Sequence, residues 1–223
     1  MAFILHLETA STNCSVSLAW EGELLAIKEY NSASFSHSEQ LHLFIKDVLE
    51  EAGVSLQRLS AIAVSKGPGS YTGLRIGVSA AKGLCYVLDI PLISTPTLMG
   101  MALQKEIASG VIIPMLDARR MEVYAAVFDA THTEVVPTRA VIIEPDSFAE
   151  FAEKGKVCVV GSGAAKCKDI LTHPNFSFDD SLIPSSRTMP MEAYRKYQQG
   201  SFEDVAYFEP FYLKDFILQQ KKK

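Results

Sequence analysis

The sequence predicts an α/β protein of two lobes, each a mixed β-sheet with flanking helices. Three observations support this fold class. The 223 residues are 48% hydrophobic and 21% charged, which is typical of a soluble globular chain with a substantial core. Both halves combine hairpins with strand–helix–strand crossovers. At roughly 100–200 residues per domain the length fits two small lobes, which we place at residues 1–108 and 109–223.

The first half of the chain is predicted to have the order β-β-β-α-β-α-β-α. An antiparallel meander opens it, because alternating apolar runs at residues 3–7, 14–20 and 24–30 are separated by polar turns. A capping box, Ser36 with Glu39, then begins the first helix.

The rest of this half alternates strands and helices. Residues 61–64 form a short apolar strand, and a glycine-rich turn over residues 67–73 leads into a helix that ends near Leu88. Residues 91–94 form another strand, and Thr95-Pro96 begins a third helix. Because strands joined through helices are parallel, the predicted sheet is mixed.

The second half opens with a hairpin, whose strands at residues 111–116 and 122–128 flank a turn at 117–120. The elements predicted after it are a strand at 135–143, a short helix at 145–151, a strand at 157–160, a helix from Ala164, an irregular segment at 175–187 and a helix at 190–199.

Composition and charge exclude several classes of protein. The formal net charge of −5 lacks the basic footprint of a chain that holds nucleic acid alone, so any such role is shared. No apolar run approaches the roughly 20 residues that span a bilayer, so we expect no membrane segment. The four cysteines are widely spaced without a C-x-x-C pair, which favours reduced thiols over a zinc site. We therefore expect a cytoplasmic protein.

The glycine-rich turn, Lys66 to Gly73, has two interpretations. Amides at a helix N-terminus favour anions, so the turn could bind phosphate. However, it lacks the G-K-[ST] ending of a P-loop and misses the dinucleotide-binding spacing by one residue. The pattern favours the other interpretation, in which the glycines permit a tight turn and close helix packing.

The first two of the three helices predicted in the first half have more apolar surface than packing against one sheet needs. The second helix has a row of small and apolar residues, which are Ile76, Ser79, Ala80, Gly83 and Val87. This row requires another surface against it, either the second lobe or another chain. The first helix has a wide stripe of Leu41, Phe44, Ile45 and Val48, which could serve more than one neighbour.

Residue patterns that carry chemistry are scarce. His37 and His42 are five residues apart, so they miss the spacing of two metal ligands on one helical face. Asp117 with Arg119 favours a turn, although an acid beside arginines could bind a polar ligand. Glu8 favours a solvated turn residue over a contact to a hydrated metal or phosphate.

Four segments together resemble the TsaB (YeaZ) family, and they are residues 4–16, 66–77, 117–124 and 209–213. The glycine-rich block followed by the Asp-Ala-Arg block is the specific part of this resemblance. It implies two actin-like lobes of the ribonuclease-H type. It also implies a noncatalytic role in adding threonylcarbamoyl to N6 of adenosine 37 in tRNAs that read codons starting with A.

The resemblance further implies the partners of the chain. A TsaD-type subunit carries the metal site and transfers the threonylcarbamoyl group, and a TsaE-type ATPase docks on the pair. ATP and the metal ion then belong to these partner subunits, so no cofactor is expected in this chain. The chain is expected to meet tRNA only through the complex and to form a homodimer when alone.

The resemblance also implies functional residues in the first lobe and at the lobe cleft. The residues expected at the partner interface are Leu41, Phe44, Ile45, Val48, Ile76, Ser79, Ala80 and Gly83. The residues expected to contact a nucleotide or partner at the cleft are Thr9, Gly69, Ser70, Tyr71, Thr72, Arg75, Asp117 and Arg119.

An alternative function is an autonomous ATP-binding or ATP-hydrolysing enzyme of the actin-like superfamily. Such an enzyme would bind phosphates with Thr9 and the turn at residues 67–72. Glu8 disfavours it, because the superfamily usually has Asp at this turn and the extra methylene displaces the carboxylate.

Overall fold

The computed structural model describes residues 1–32 and 37–214, which form two five-stranded mixed sheets flanked by helices. The predicted fold class is confirmed. Ser36 of the predicted capping box lies outside the described residues. No helix within residues 1–32 and 37–214 is long and apolar enough to cross a membrane.

The regular elements follow the predicted order closely. The strands of the first sheet are β1 (Phe3–Glu8), β2 (Asn13–Trp20), β3 (Glu23–Asn31), β4 (Leu59–Gly67) and β5 (Leu92–Pro96). The strands of the second sheet are β6 (Val111–Asp117), β7 (Glu122–Asp129), β8 (Glu134–Ile142), β9 (Val157–Val160) and β10 (Phe176–Asp179). The helices are α1 (His37–Ala52), α2 (Tyr71–Leu88), α3 (Thr97–Ala102), α4 (Ala149–Ala152), α5 (Ala164–Cys167) and α6 (Pro190–Gln198).

The two sheets share one strand topology. The spatial order is β3-β2-β1-β4-β5 in the first sheet and β8-β7-β6-β9-β10 in the second. In each sheet the first three strands pair antiparallel. The fourth strand then pairs in parallel with the first, which is central, and the fifth pairs in parallel with the fourth. The chain therefore builds the same sheet twice, although its halves show no sequence repeat.

The prediction of an irregular segment at residues 175–187 is wrong at its start. Phe176–Asp179 forms β10, which pairs in parallel with β9, and the rings of Phe176 and Phe178 stack with centroids 6.1 Å apart. Four residues are too few for an alternating pattern to identify a strand, and only its pairing with β9 defines it.

The core of the first sheet lies beneath α1 and α2. Leu7 of β1 and Val16 of β2 form one apolar cluster with Leu41, Val48 and Val78 of the two helices. All five side chains are buried. Burying a side chain of this size stabilises the fold by ~1.5–3 kcal/mol, so this layer fixes which helical faces point inward.

Each half of the chain supplies one helix to the other half's sheet. Leu98 and Met101 of α3 pack with Ile112 of β6 in the second sheet, whereas Ala193 of α6 packs with Ile93 of β5 in the first. The predicted second lobe, residues 109–223, thus includes a helix that lies on the first sheet. The boundary between residues 108 and 109 stays a prediction.

The glycines of α2 allow an unusually close approach between that helix and the turn after β1. A Cβ added at Gly73 would lie 2.1 Å from the backbone oxygen of Thr9, and one at Gly77 would lie 2.2 Å from Thr9 Oγ1. At Gly69 the added Cβ would lie 2.4 Å from the oxygen of Ala10. The interpretation of the glycine-rich turn as a close-packing device is confirmed.

Gly73→Ala should destabilise the fold, because its Cβ would meet backbone that cannot rotate away. We expect the free energy of unfolding to fall by roughly 1–3 kcal/mol, although alanine is the better helix former. Gly83→Ala on the same helix is the matched control, since no atom lies within 4 Å of the added Cβ. Urea unfolding at one protein concentration measures the stability of both variants. Equal stabilities of Gly73→Ala and Gly83→Ala would contradict the close-packing interpretation.

Candidate functional site

The outer side of α2 presents small and apolar residues at the surface of the first lobe. Ser79 and Gly83 are exposed, whereas Ile76 and Ala80 are half-buried. Val87, one turn beyond Gly83, is 79% exposed. We call these five residues the α2 face. Three of its five residues, Ser79, Ala80 and Gly83, are small, and small residues let a second helix approach closely.

The prediction of Leu41 and Val48 at the partner interface is wrong, because both face the sheet and have no exposed surface. Ile45 also lines a surface groove between α1 and α2, so its place at the interface stays a prediction. Leu41, Ile45 and Val48 of α1 are at most 5% exposed and belong to the core beneath the helix. Phe44 lies at the edge of that stripe and remains half-buried, so it is the most accessible member of the predicted set on α1. The sequence shows that the stripe is wide, and only packing shows which part of it is covered.

Two exposed apolar side chains near this surface were not among the predicted interface residues. Leu43 of α1 is 55% exposed and Tyr86 of α2 is 83% exposed. Both lie outside the apolar stripes of their helices. The sequence could have identified them, because each is a large apolar residue on a polar helical face.

A groove of about 520 Å³ lies between the C-terminal halves of α1 and α2. Its apolar floor includes Leu49, Val54, Leu56 and Leu84. His42, Lys46 and Glu50 provide a polar rim. The groove extends the accessible apolar surface from α2 towards α1.

The turn after β1 does not form an open ligand site. Thr9 is fully buried, and its Oγ1 donates a hydrogen bond to the oxygen of Gly73 at 2.8 Å. Gly69 packs directly on Ala10. The prediction of Thr9 as a cleft contact is therefore wrong, since the close approach of α2 covers it. Gly69 is half-buried, so its predicted cleft contact stays a prediction.

Ser70 has a structural role at the start of α2. Its Oγ accepts a hydrogen bond from the amide of Gly73 at 3.2 Å, and its own amide donates to the oxygen of Ala10 at 2.7 Å. Two amides that a phosphate would need are thus already used within the fold.

The first turn of α2 contributes three predicted residues to the protein surface. Thr72 and Arg75 are exposed, and Arg75 Nη1 donates to the Tyr71 hydroxyl at 3.2 Å. The ring of Tyr71 contacts that of Tyr212, with centroids 4.9 Å apart. These side chains are accessible, but they border the segment after α6 rather than an enclosed cleft.

Asp117 and Arg119 lie at the tip of the hairpin between β6 and β7. Asp117 Oδ1 accepts a hydrogen bond from the Arg119 amide at 2.8 Å and also pairs with Lys166. Both Asp117 and Arg119 are exposed, so the preferred interpretation as a turn agrees with the geometry. Lys166 Nζ additionally donates to the oxygens of Arg120 and Glu122, which fixes the hairpin tip.

Glu8 is buried, and the prediction of a solvated turn residue is wrong. Only 3% of it is exposed, and its Oε1 accepts a hydrogen bond from the Ala10 amide at 2.6 Å. Ser65 also hydrogen-bonds the carboxyl group, and Thr97 of α3 in turn pairs with Ser65 at 2.7 Å. Burial raises the pKa of Glu8 to about 7, despite these hydrogen bonds.

His6, also on β1, is buried like Glu8, and we call these two residues and the serines bonded to them the buried polar layer. The His6 side chain is fully buried, and its Nδ1 pairs with the oxygen of Ser17 at 3.2 Å. Burial lowers the pKa of His6 to about 4, so the ring is neutral at physiological pH. Ser17 Oγ donates to the oxygen of Ser186, which joins the layer to the segment before α6.

The polar layer ties elements together, since its hydrogen bonds join β1 to β2 and to β4, and β2 to the segment before α6. Glu8 and Thr9 are enclosed, and across residues 1–32 and 37–214 no group of three or more His, Cys, Asp or Glu side chains could hold a metal ion. The accessible features include the α2 face, the groove beside it and the hairpin tip. Such surfaces suit the binding of macromolecules.

Comparisons with known proteins show close relatives. A family model described as TsaD: tRNA N6-adenosine threonylcarbamoyltransferase matches residues 29–214. The tRNA threonylcarbamoyladenosine biosynthesis protein TsaB of Escherichia coli (strain K12) is 30% identical, over 98% of this chain and 97% of its own length. The tRNA N6-adenosine threonylcarbamoyltransferase of Geobacillus kaustophilus is 36% identical, but over 47% of this chain and 28% of its own length.

Solved structures agree with these relatives. YeaZ from Pseudomonas aeruginosa has a TM-score of 0.79 and 26% identity, over 96% of this chain and all of that chain. A second Pseudomonas aeruginosa structure, described as similar to peptidase YEAZ, has a TM-score of 0.83 at 26% identity. The described fold therefore matches these proteins over nearly their whole length.

The buried Glu8 should make stability fall as pH rises. The unfolded chain loses the Glu8 proton near the ordinary pKa of 4.5, whereas the folded chain keeps it until about 7. Between these values the folded state binds more protons, so its stability decreases with pH. Glu8→Gln removes this penalty and should be more stable than the parent by roughly 2–3 kcal/mol at about pH 8.

Urea unfolding at several pH values tests this prediction. Burial of His6 makes stability rise with pH, which is opposite to the effect of Glu8. Because His6 is present in both proteins, its effect cancels from the difference in stability between parent and variant. Parent and variant should converge near about pH 4.5. Glu106→Gln changes an exposed carboxylate and serves as the control. A stability difference for Glu8→Gln that does not change with pH would refute the prediction.

Proposed function

Since the chain belongs to the TsaB (YeaZ) family, we propose that it is a subunit of the machinery that makes threonylcarbamoyladenosine in tRNA. Two relatives that align over nearly all of this chain have that biosynthetic role in their names. The chain itself is noncatalytic. It pairs with a TsaD-type subunit and stabilises it while that subunit adds threonylcarbamoyl to N6 of adenosine 37.

The α2 face is the single observation that most supports this role. It presents small and apolar residues along a helix of 18 residues, and no atom lies within 4 Å of a Cβ added at Gly83. Small residues let two helix backbones approach closely, which increases the dispersion contacts between them. Phe44 and the groove beside α1 widen the same surface.

The enclosed turn after β1 supports the noncatalytic part of the proposal. An autonomous ATP-dependent enzyme of this fold would use Thr9 and the glycine-rich turn for phosphates. Thr9 is fully buried, and the turn packs on Ala10. In the proposed complex, ATP and the metal ion belong to the TsaD-type subunit and to a TsaE-type ATPase.

The same surface accounts for the proposed homodimer. An apolar helical face that is exposed in the isolated chain can pair with a second copy, and an isologous pair is the simplest arrangement. The partner subunit and the second copy then compete for the α2 face. The proposal places this assembly in the cytoplasm.

Ala80→Arg should abolish pairing with the TsaD-type subunit of the same organism. The long charged side chain would have to be buried without a partner, so we expect at least tenfold weaker binding in a titration followed by calorimetry. Gly83→Arg is the second variant, because its position is open and the substitution leaves the core untouched. Ala108→Arg changes an exposed alanine elsewhere and is the matched control.

Circular dichroism establishes that each variant is folded. Loss of pairing in both α2 variants, with normal pairing by Ala108→Arg, is the expected result. Unimpaired pairing by both would show that the partner uses another surface.

The proposed division of labour predicts that tRNA modification requires both subunits. The two purified proteins are supplied with tRNA, the TsaE-type ATPase and threonylcarbamoyl adenylate. We expect modified tRNA only when both subunits are present, and no transfer or ATP hydrolysis by this chain alone. Activity of this chain alone would overturn the noncatalytic assignment and favour the autonomous ATP-dependent enzyme.

A further inference from the structure

A surface of cations and tyrosines runs from the first turn of α2 to the tip of the β6–β7 hairpin. Its residues are Tyr71, Arg75, Arg119, Arg120, Tyr212 and Lys214, and we call it the basic–aromatic surface. It lies outside the α2 face and outside the buried polar layer.

Direct contacts join the parts of this surface. The Arg75 guanidinium carbon lies 5.3 Å from the centre of the Tyr71 ring, which contacts the Tyr212 ring. Two residues further on, Lys214 forms an ion pair with Glu122, the first residue of β7. The two hairpin arginines precede Glu122 by only a few residues, so three separate segments form one continuous surface.

The charge of this surface is opposite to that of the whole chain. Two of the three nearby acids are paired, since Asp117 pairs with Lys166 and Glu122 pairs with Lys214, whereas the third, Glu209, lies near Tyr212. Across the described parts of the chain, Arg75, Arg119 and Arg120 form no ion pair, and all three are exposed. The surface is therefore locally positive on a protein of net charge −5.

The hairpin holds its two arginines in a conformation that arginine disfavours. Arg119 has a φ of +71° and Arg120 a φ of +52°, where glycine or asparagine fits with less strain. Two hydrogen bonds maintain this conformation. The Arg119 amide donates to Asp117 Oδ1, and Lys166 Nζ donates to the Arg120 oxygen. The fold thus presents two adjacent guanidinium groups from a rigid turn, which lowers the entropy lost when they bind.

We propose that the basic–aromatic surface binds the tRNA substrate while the chain is paired with its catalytic partner. Arg119 and Arg120 contact phosphates, and Tyr212, which is 37% exposed, stacks on an unpaired base. RNA fits better than an acidic peptide, because guanidinium groups beside an exposed tyrosine ring match the phosphates and bases of RNA. This inference rests on the proposed function, which supplies tRNA as the substrate.

The test uses the purified complex of this chain with the TsaD-type subunit. Affinity for unmodified tRNA is measured by fluorescence anisotropy between about 50 and 200 mM salt. For the double variant Arg119→Ala with Arg120→Ala, we expect about tenfold weaker binding at ~0.1 M salt and a log–log salt slope shallower by about one to two. Arg139→Ala removes an exposed arginine of β8 and should leave both quantities unchanged.

A second variant addresses stacking. Tyr212→Ala should weaken tRNA binding severalfold without changing the salt slope, and Tyr212→Phe should restore it because the ring is retained.

Two further measurements separate this inference from the proposed function. Subunit pairing should stay at the parent level in the double variant, whereas its KM for tRNA in the modification assay should rise about tenfold, in step with the weaker binding. Unchanged tRNA affinity, with modification still dependent on this chain, would overturn the inference and leave the proposed function intact. Lost subunit pairing with normal tRNA affinity would also overturn it, since the hairpin would then bind an acidic partner surface. A parent complex that binds tRNA but never modifies it would instead refute the proposed function.

Discussion

The approach of α2 to the turn after β1 is the contact on which the rest of the structure depends. Gly73 and Gly77 have no side chain on the side of α2 that meets Thr9, so helix and turn touch through backbone and a hydroxyl. This contact encloses Thr9, and Ala10 beside it accepts a hydrogen bond from the Ser70 amide at the start of α2. It also fixes the rotation of α2 about its axis, which places the α2 face on the outside of the lobe.

The buried polar layer on β1 is the second consequence of close packing. Glu8, His6 and the serines beside them occupy positions that would be open if α3 and the segment before α6 lay further away. Their burial shifts the pKa values of Glu8 and His6 in opposite directions, and both shifts favour neutral side chains. Neutral and enclosed, these groups form part of the structural core of the first lobe.

The functional surfaces are correspondingly on the outside. The segment after α6 connects them, because Lys82 of α2 donates to the oxygens of Ala206 and Phe208 while Tyr212 contacts Tyr71. The segment after α6 therefore links the helix proposed to bind the catalytic partner with the hairpin proposed to bind tRNA.

The sequence by itself determined most of the local structure and the family. Alternating apolar runs placed the strands, the glycine spacing predicted close packing, and the α2 row predicted an outward surface, because each of these depends on neighbours along the chain. Contacts between distant segments decided the rest. Which part of the α1 stripe is covered, the burial of Glu8 and the existence of β10 depend on packing partners far away in the sequence. The same holds for the return of α6 to the first sheet, since hydrophobic burial is nondirectional and does not encode which distant surface will cover a given residue.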